Sequence, residues 1–165
     1  MALAPPITNI EELKSHPALG RLVGWNASVV QEAKFDREEL TIWVAKESIR
    51  EVAAILRDSS DCPFNYLADL TCVDWYPSEP RFEVVYHLLS ISKKERVRLK
   101  VRLDGSSPAI ESVTSVWPAA DFYEREVFDL FGVRFTGHPN LKRILMPDDW
   151  EGHPMRKDYP VEGYR

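Results

Sequence analysis

The chain has 165 residues and a mass of 19.0 kDa, enough for one domain with a hydrophobic core, and its 44% apolar and 28% charged residues are ordinary for a globular protein. A formal net charge of −5 and a pI near 5.4 exclude the basic footprint of a nucleic-acid binder. No apolar run approaches the roughly 20 residues that cross a bilayer, and Met1-Ala2-Leu3-Ala4-Pro5-Pro6 lacks the basic and apolar regions of a signal peptide, so membrane contact is expected through a partner.

The first element in chain order is an amphipathic helix expected over Ile7 to Gly20, with Asn9 as N-cap, Glu12 three residues on, and Pro17 and Gly20 closing it. Alternation over Trp25 to Phe35 and Glu39 to Ala45, across the polar tip Asp36-Arg37-Glu38, predicts a β-hairpin. Ser48 is placed to cap a second helix with Ile49, Val52, Ala53 and Leu56 on its apolar stripe. Three strands follow: Tyr66 to Trp75 with Ala68, Leu70 and Cys72 on one face, the almost continuously apolar Arg81 to Ile91, and Arg96 to Leu103 with Val97, Leu99, Val101 and Leu103 inward. Pro77 to Pro80 and Asp104 to Pro108 are the turns, and a helical turn is expected around Ser112 to Trp117. An α-β-β-α-β-β-β-α order with short links implies an α+β fold: a mainly antiparallel sheet of about five strands with helices packed on it.

The last helix, Ala119 to Phe131, carries Tyr123, Val127, Leu130 and Phe131 on one stripe, flanked by Phe122 and Phe128. Asp121, Arg125 and Asp129 fall at i, i+4 and i+8 and form one charged ridge, and Gly132 is a natural stop. Beyond it periodicity ends. Residues 133–165 hold Pro139, Pro147, Pro154 and Pro160 together with Phe135, Leu141, Ile144, Leu145, Met146, Trp150, Met155 and Tyr159. Each such apolar side chain gains about 1.5–3 kcal/mol on full burial, and a structureless stretch this long is rare in a compact domain unless it binds something. The chain therefore divides into an α+β domain over 1–132 and an extended, partner-binding C-terminal arm over 133–165.

No constellation assembles an active site. His138 and His153 sit in Gly-His-Pro triplets with Asp148, Asp149 and Glu151 between them, but an irregular, proline-interrupted stretch does not bring two rings to one metal as helical or strand spacing would. Each imidazole is expected to lock a turn instead. His87 reads as a sheet histidine and His16 as a surface one. Cys62 and Cys72 form no CxxC pair and read as core residues. Glu124 and Glu126, two apart on a helix, point in different directions, and neither a G-x-S-x-G elbow nor a glycine-rich phosphate loop is present.

Glu124-Arg125-Glu126-x-x-Asp129-x-Phe131-Gly132, Gly137-His138-Pro139, Arg143-Ile144-Leu145-Met146-Pro147-Asp148-Asp149-Trp150-Glu151-Gly152-His153-Pro154 and Arg156-Lys157-Asp158-Tyr159-Pro160 form a long, ordered run. This run resembles the signature of the thirty-kilodalton subunit of respiratory complex I. In bacteria that protein is the C subunit of NADH-quinone oxidoreductase, and the chloroplast and cyanobacterial complex has a counterpart, its J subunit. The stretches DLTCVDWYP and FEVVYHLLS resemble the family's strands as well. Met155 stands where the family more often has Leu, and the sequence ends soon after the signature, without a long extension or fusion to the forty-nine-kilodalton partner. The resemblance implies a structural subunit without catalytic residues, cofactor or metal of its own. It would dock on the forty-nine-kilodalton (D) subunit and on other subunits of the hydrophilic arm. FMN, iron–sulfur clusters and quinone would belong to partner subunits, and the whole would sit peripherally on the cytoplasmic side of the cell membrane, passing electrons from NADH to quinone and translocating protons. The interface expected on this reading comprises Glu124, Arg125, Asp129, His138, Arg143, Trp150, His153, Met155, Arg156, Asp158 and Tyr159, the charges as ion pairs and Trp150, Met155 and Tyr159 as anchors. Two other assignments are open: the equivalent subunit of a membrane-bound hydrogenase or ferredoxin-driven complex, and a free-standing metal hydrolase using His138 and His153.

Overall fold

The structure is a computed structural model that describes residues 5–162. Met1–Ala4, on which part of the signal-peptide reading falls, and residues 163–165 of the arm lie outside the described residues. The elements are α1 (Ile10–Leu13), α2 (Pro17–Asn26), β1 (Val30–Asp36), β2 (Glu39–Val44), α3 (Ile49–Arg57), β3 (Tyr66–Asp74), β4 (Phe82–Ser90), β5 (Glu95–Leu103), β6 (Ala109–Glu111), α4 (Ala120–Phe131) and β7 (Arg134–Thr136). Five strands form a sheet in the order β1-β2-β5-β4-β3, antiparallel except where β2 meets β5. Parallel pairing there follows from the intervening α3, β3 and β4, which let the chain re-enter beside β2 in the same direction. The α+β class and the five strands are as the residue pattern predicts.

The core lies between one sheet face and the helices. Leu40, Ile42, Val84, Tyr86, Leu99 and Val101 meet Leu19 and Leu22 of α2, Val52 and Leu56 of α3, and Val127 of α4. The other face is polar: Arg98 pairs with Glu39, Lys100 with Glu83 at 2.7 Å and Arg102 with Glu32 at 2.8 Å. The half-exposed Arg98 and Arg102 pairs contribute little each, about 0–1 kcal/mol, but the aliphatic stems of the three cations cover the sheet, leaving Glu83 and Thr41 about 5% exposed.

Five local expectations are corrected. Pro17 opens α2 instead of closing the first helix, because its fixed φ and missing N–H suit a helix's first turn. His16 is therefore no loose surface residue: its Nδ1 accepts the Ala18 N–H at 3.3 Å. Trp25 is consequently helical, and the first strand begins only at Val30, after a 3-10 turn capped by Asn26. In β3 an irregularity between Leu67 and Asp69 resets the alternation, so Leu67 is buried and Ala68 exposed. Ser48 stands at the start of α3, but its side chain makes no capping bond.

Past Gly132 the chain does not leave the domain. Val133 and Phe135 enter the core, and β7 pairs in parallel with β6. Gly132 itself has φ +76°, a left-handed conformation that ends α4 with its N–H on the Phe128 carbonyl at 2.9 Å.

Candidate functional site

The charged ridge of α4 is the seat of the arm. The Asp121 carbonyl meets His138 Nε2 at 3.3 Å, while Arg125 donates to the carbonyls of Lys142 and Arg143 at 3.2 Å each. One turn further on, the Asp129 carboxylate accepts the backbone N–H groups of Ile144, Leu145 and Met146 at 3.0, 2.8 and 2.9 Å, and Arg143 Nη1 at 2.6 Å. The segment 138–146 thus runs alongside α4 in the same direction, gripped at each helical turn. Asp129 has no exposed surface. Burial pushes its carboxyl up, but the four hydrogen bonds outweigh burial and hold it below the usual carboxylate range.

The arm then returns to close the end of the helix. A helix leaves its last carbonyls without partners, and here His153 Nδ1 donates to the Asp129 carbonyl at 2.8 Å, the Met155 N–H to Leu130 at 3.0 Å and Arg156 Nε to Phe131 at 2.6 Å. That acceptor fixes the proton of neutral His153 on Nδ1. Burial lowers the histidine's pKa, outweighing the Asp129 carbonyl, which raises it. Next, Asp158 reaches the sheet: both its oxygens accept from Arg81, at 2.6 and 2.8 Å, and Arg81 also clasps Asp74 through two bonds of 2.8 and 2.9 Å. Asp74 takes the Lys157 N–H as well, at 2.9 Å. Its burial is outweighed by the Arg81 bonds and the Lys157 and Tyr76 amides, which bring its carboxyl down to about 2.

Glu124 faces inward, into the core. It is fully buried, with Oε1 accepting the Val113 N–H at 2.7 Å; neither its Oε2 nor the buried hydroxyl of Tyr86 has a hydrogen-bond partner among the described residues. Burial raises its carboxyl from 4.5 to about 7 against the opposing bonds from Ser112 and Val113. Because folding raises the proton affinity, this stabilisation is complete below pH 4.5 and is lost as the pH climbs through about 7. At about 1.4 kcal/mol per pH unit the whole window amounts to roughly 3 kcal/mol. The urea midpoint of the chain should therefore fall between pH 5 and pH 8, and Glu124→Gln should remove that fall; an equal fall in both proteins refutes the assignment.

The eleven residues expected at an interface thus separate into two groups. Glu124 and Asp129 lie inside the chain, and the ion pairs of Asp129, Arg143 and Asp158 are closed within it. Arg125, His138 and His153 hold the arm against α4, and Arg156 caps that helix. Tyr159 is half-buried, its hydroxyl 3.4 Å from the Glu151 carbonyl. Met155 and Trp150 are turned outward, 56% and 39% exposed. Leu145, absent from the expected set, is the most exposed of the three large apolar side chains on this part of the arm, at 61%; its neighbours' amides are tied to Asp129, a geometry that no periodicity signals. Arg81 and Asp74 were likewise not singled out, although they flank the proline-rich turn that brings them together.

Among the described residues no group of histidine, cysteine and carboxylate side chains could hold a metal ion, and no helix is long and apolar enough to cross a membrane. Cys72 is a buried thiol pushed up to about 12 by burial, far from the thiolate that chemistry would need.

Residues 42–165 match the family described as respiratory-chain NADH dehydrogenase, 30 Kd subunit. The chain is 53% identical over 127 residues to the C subunit of NADH-quinone oxidoreductase from Citrifermentans bemidjiense, covering 77% of this chain and 78% of that protein. Against the protein of the same name from a Roseiflexus species the identity is 51% over 134 residues, covering 81% and 76%. Among solved structures, a chain of the membrane-bound sulfane sulfur reductase, an archaeal respiratory membrane complex, superposes with a TM-score of 0.74 at 31% identity, covering 92% of this chain and 85% of that one. A trypsin-resistant fragment of Nqo5 superposes with a TM-score of 0.54 at 34% identity, covering 62% and 83%.

Proposed function

The chain belongs to the respiratory-chain NADH dehydrogenase 30 Kd subunit family. From that premise we propose that it is a structural subunit of a proton-translocating NADH-quinone oxidoreductase, holding the forty-nine-kilodalton subunit in place. The observation that carries this reading is the outward set of Leu145, Trp150 and Met155 on a backbone clamped from behind by α4. Large apolar side chains held rigidly toward solvent cost little to dock, since the ordering entropy has already been met in folding. They are the anchors that a neighbouring subunit would bury.

On this reading the chain takes no direct part in electron transfer. FMN, the iron–sulfur clusters and quinone reside in the partners, and the chain reaches the cytoplasmic face of the membrane through them.

The archaeal match favours a second reading, in which the subunit serves a related membrane complex with a different electron donor, such as a membrane-bound hydrogenase or a ferredoxin-driven enzyme. A free-standing metal hydrolase fits less well, because His138 and His153 each hold a carbonyl of α4.

An affinity tag on the chain decides among the three. Flavin and iron–sulfur subunits together with the forty-nine-kilodalton neighbour should copurify, and hydrogenase or sulfur-reducing subunits in their place would select the second reading. A chain that purifies alone and turns over a substrate overturns both.

A further inference from the structure

At the C-terminal end of α4, Gly152, His153, Arg156, Asp158 and Tyr159 line a cavity of about 120 Å³. Its fixed feature is the guanidinium of Arg156. Nε is committed to the Phe131 carbonyl, and the plane sits over Phe82 with its carbon 5.2 Å from the ring centre. Gly132 makes room for it: a Cβ there would lie 2.5 Å from Arg156 Nη2 and 2.6 Å from His153 Nε2. Among the described residues no carboxylate lies within ion-pair distance of Arg156, and its two Nη groups donate to no protein atom. Asp158 lines the same cavity, but both its oxygens are taken by Arg81. His153, its proton on Nδ1 toward Asp129, contributes no positive charge there.

Such a fork is content while water reaches it. Exposed Met155 is its sequence neighbour, and a protein surface that covers Met155 and extends over the cavity mouth at Gly152 and Tyr159 strips that water away. The Nη donors then need acceptors, and the positive charge, countered only at longer range by Asp158 and Asp74 and opposed by Arg81, gains from an anion in direct contact. A planar fork held by its Nε edge and its face is matched by a carboxylate, which accepts from both Nη groups at once. Neutral carbonyls would satisfy the donors but add nothing to the longer-range compensation from Asp158 and Asp74. Lys157 adds a further cation beside the cavity in a chain whose net charge is −5.

We propose that this cavity is the socket for an aspartate or glutamate side chain of the neighbouring subunit, gripped by the Arg156 fork. The proposal rests on the docking reading given above and names the chemistry of its contact. Arg156 also caps α4, and a helix-capping cation can be replaced by lysine, whereas a two-pronged fork cannot; this difference separates the two roles.

The test purifies the complex through a tag on this chain and washes it with rising salt. Arg156→Lys gives up the Phe82 stack and the Nε bond and should lower the urea midpoint of the isolated chain less than Arg156→Gln does. Under conditions where the variant chain is fully folded it should still lower the retained neighbour by about tenfold or more, the scale of losing a desolvated charge pair, and Arg156→Gln should lower it further. Second-site suppressors of Arg156→Glu should include Asp or Glu to Lys or Arg changes in the neighbour. Retention of the neighbour by Arg156→Lys at wild-type salt tolerance, or suppressors confined to this chain, overturns the socket while leaving docking intact. A wild-type chain that retains no neighbour overturns docking itself, and the socket with it.

Discussion

Replacing Asp129 by alanine should cost the folded chain about 3–5 kcal/mol, the scale for removing one partner of a buried charge pair. The carboxylate is fully buried, pairs with Arg143 and is the acceptor of three consecutive backbone N–H groups. Alanine leaves all of these facing an apolar methyl. The residual bonds of Arg143 to the Trp150 and Gly152 carbonyls, 2.8 and 3.0 Å, keep its guanidinium in place without neutralising it. Asparagine, nearly isosteric, should recover little: it retains one acceptor oxygen but turns an N–H₂ toward a nest of donors. Urea unfolding measures both, and losses below about 1 kcal/mol would show that the segment 144–146 does not depend on the carboxylate. The same substitutions should release Leu145 from its fixed outward position, so copurification of the neighbour should fail even at temperatures where the chain remains folded.

The fold was legible where a pattern repeats. Val97, Leu99, Val101 and Leu103 alternate and are buried, and the stripe of α3 is the one its spacing predicts. The end of α4 was legible too, because a glycine after a periodic run marks a left-handed stop. What the sequence could not reveal is who answers each charge. Asp121, Arg125 and Asp129 are spaced as a solvent ladder would be, yet Arg125 and Asp129 make their main bonds to residues 14 to 18 positions away in the arm. Helical spacing reports which residues share a face and says nothing of what covers that face. The arm's apolar content is answered in part within the chain, where Phe135 lies in the core and Leu141 packs against it. Leu145, Trp150 and Met155 remain exposed.

The same geometry sets the outcome of cutting the chain. Sequence character divides at residue 132, but a chain cut before Gly132 should not fold as a cooperative unit. It loses Val133 and Phe135 from the core, at about 1.5–3 kcal/mol each, and β6 loses its partner strand. It also strips Asp129 of every donor described above, uncaps the last carbonyls of α4 and leaves Asp74 and Arg81 without Asp158. Together these approach the whole stability of an ordinary domain, about 5–15 kcal/mol. A cut after Gly137 keeps Val133 and β7 with its core residue Phe135 while exposing the buried carboxylate, so that chain should fold with a much reduced urea midpoint. The full chain, the cut after Gly137 and the cut before Gly132 should thus rank in that order by urea unfolding followed by circular dichroism. If the shortest chain unfolds cooperatively at the full chain's midpoint, the arm contributes nothing to α4, and the rigid backing argued for Leu145, Trp150 and Met155 is lost.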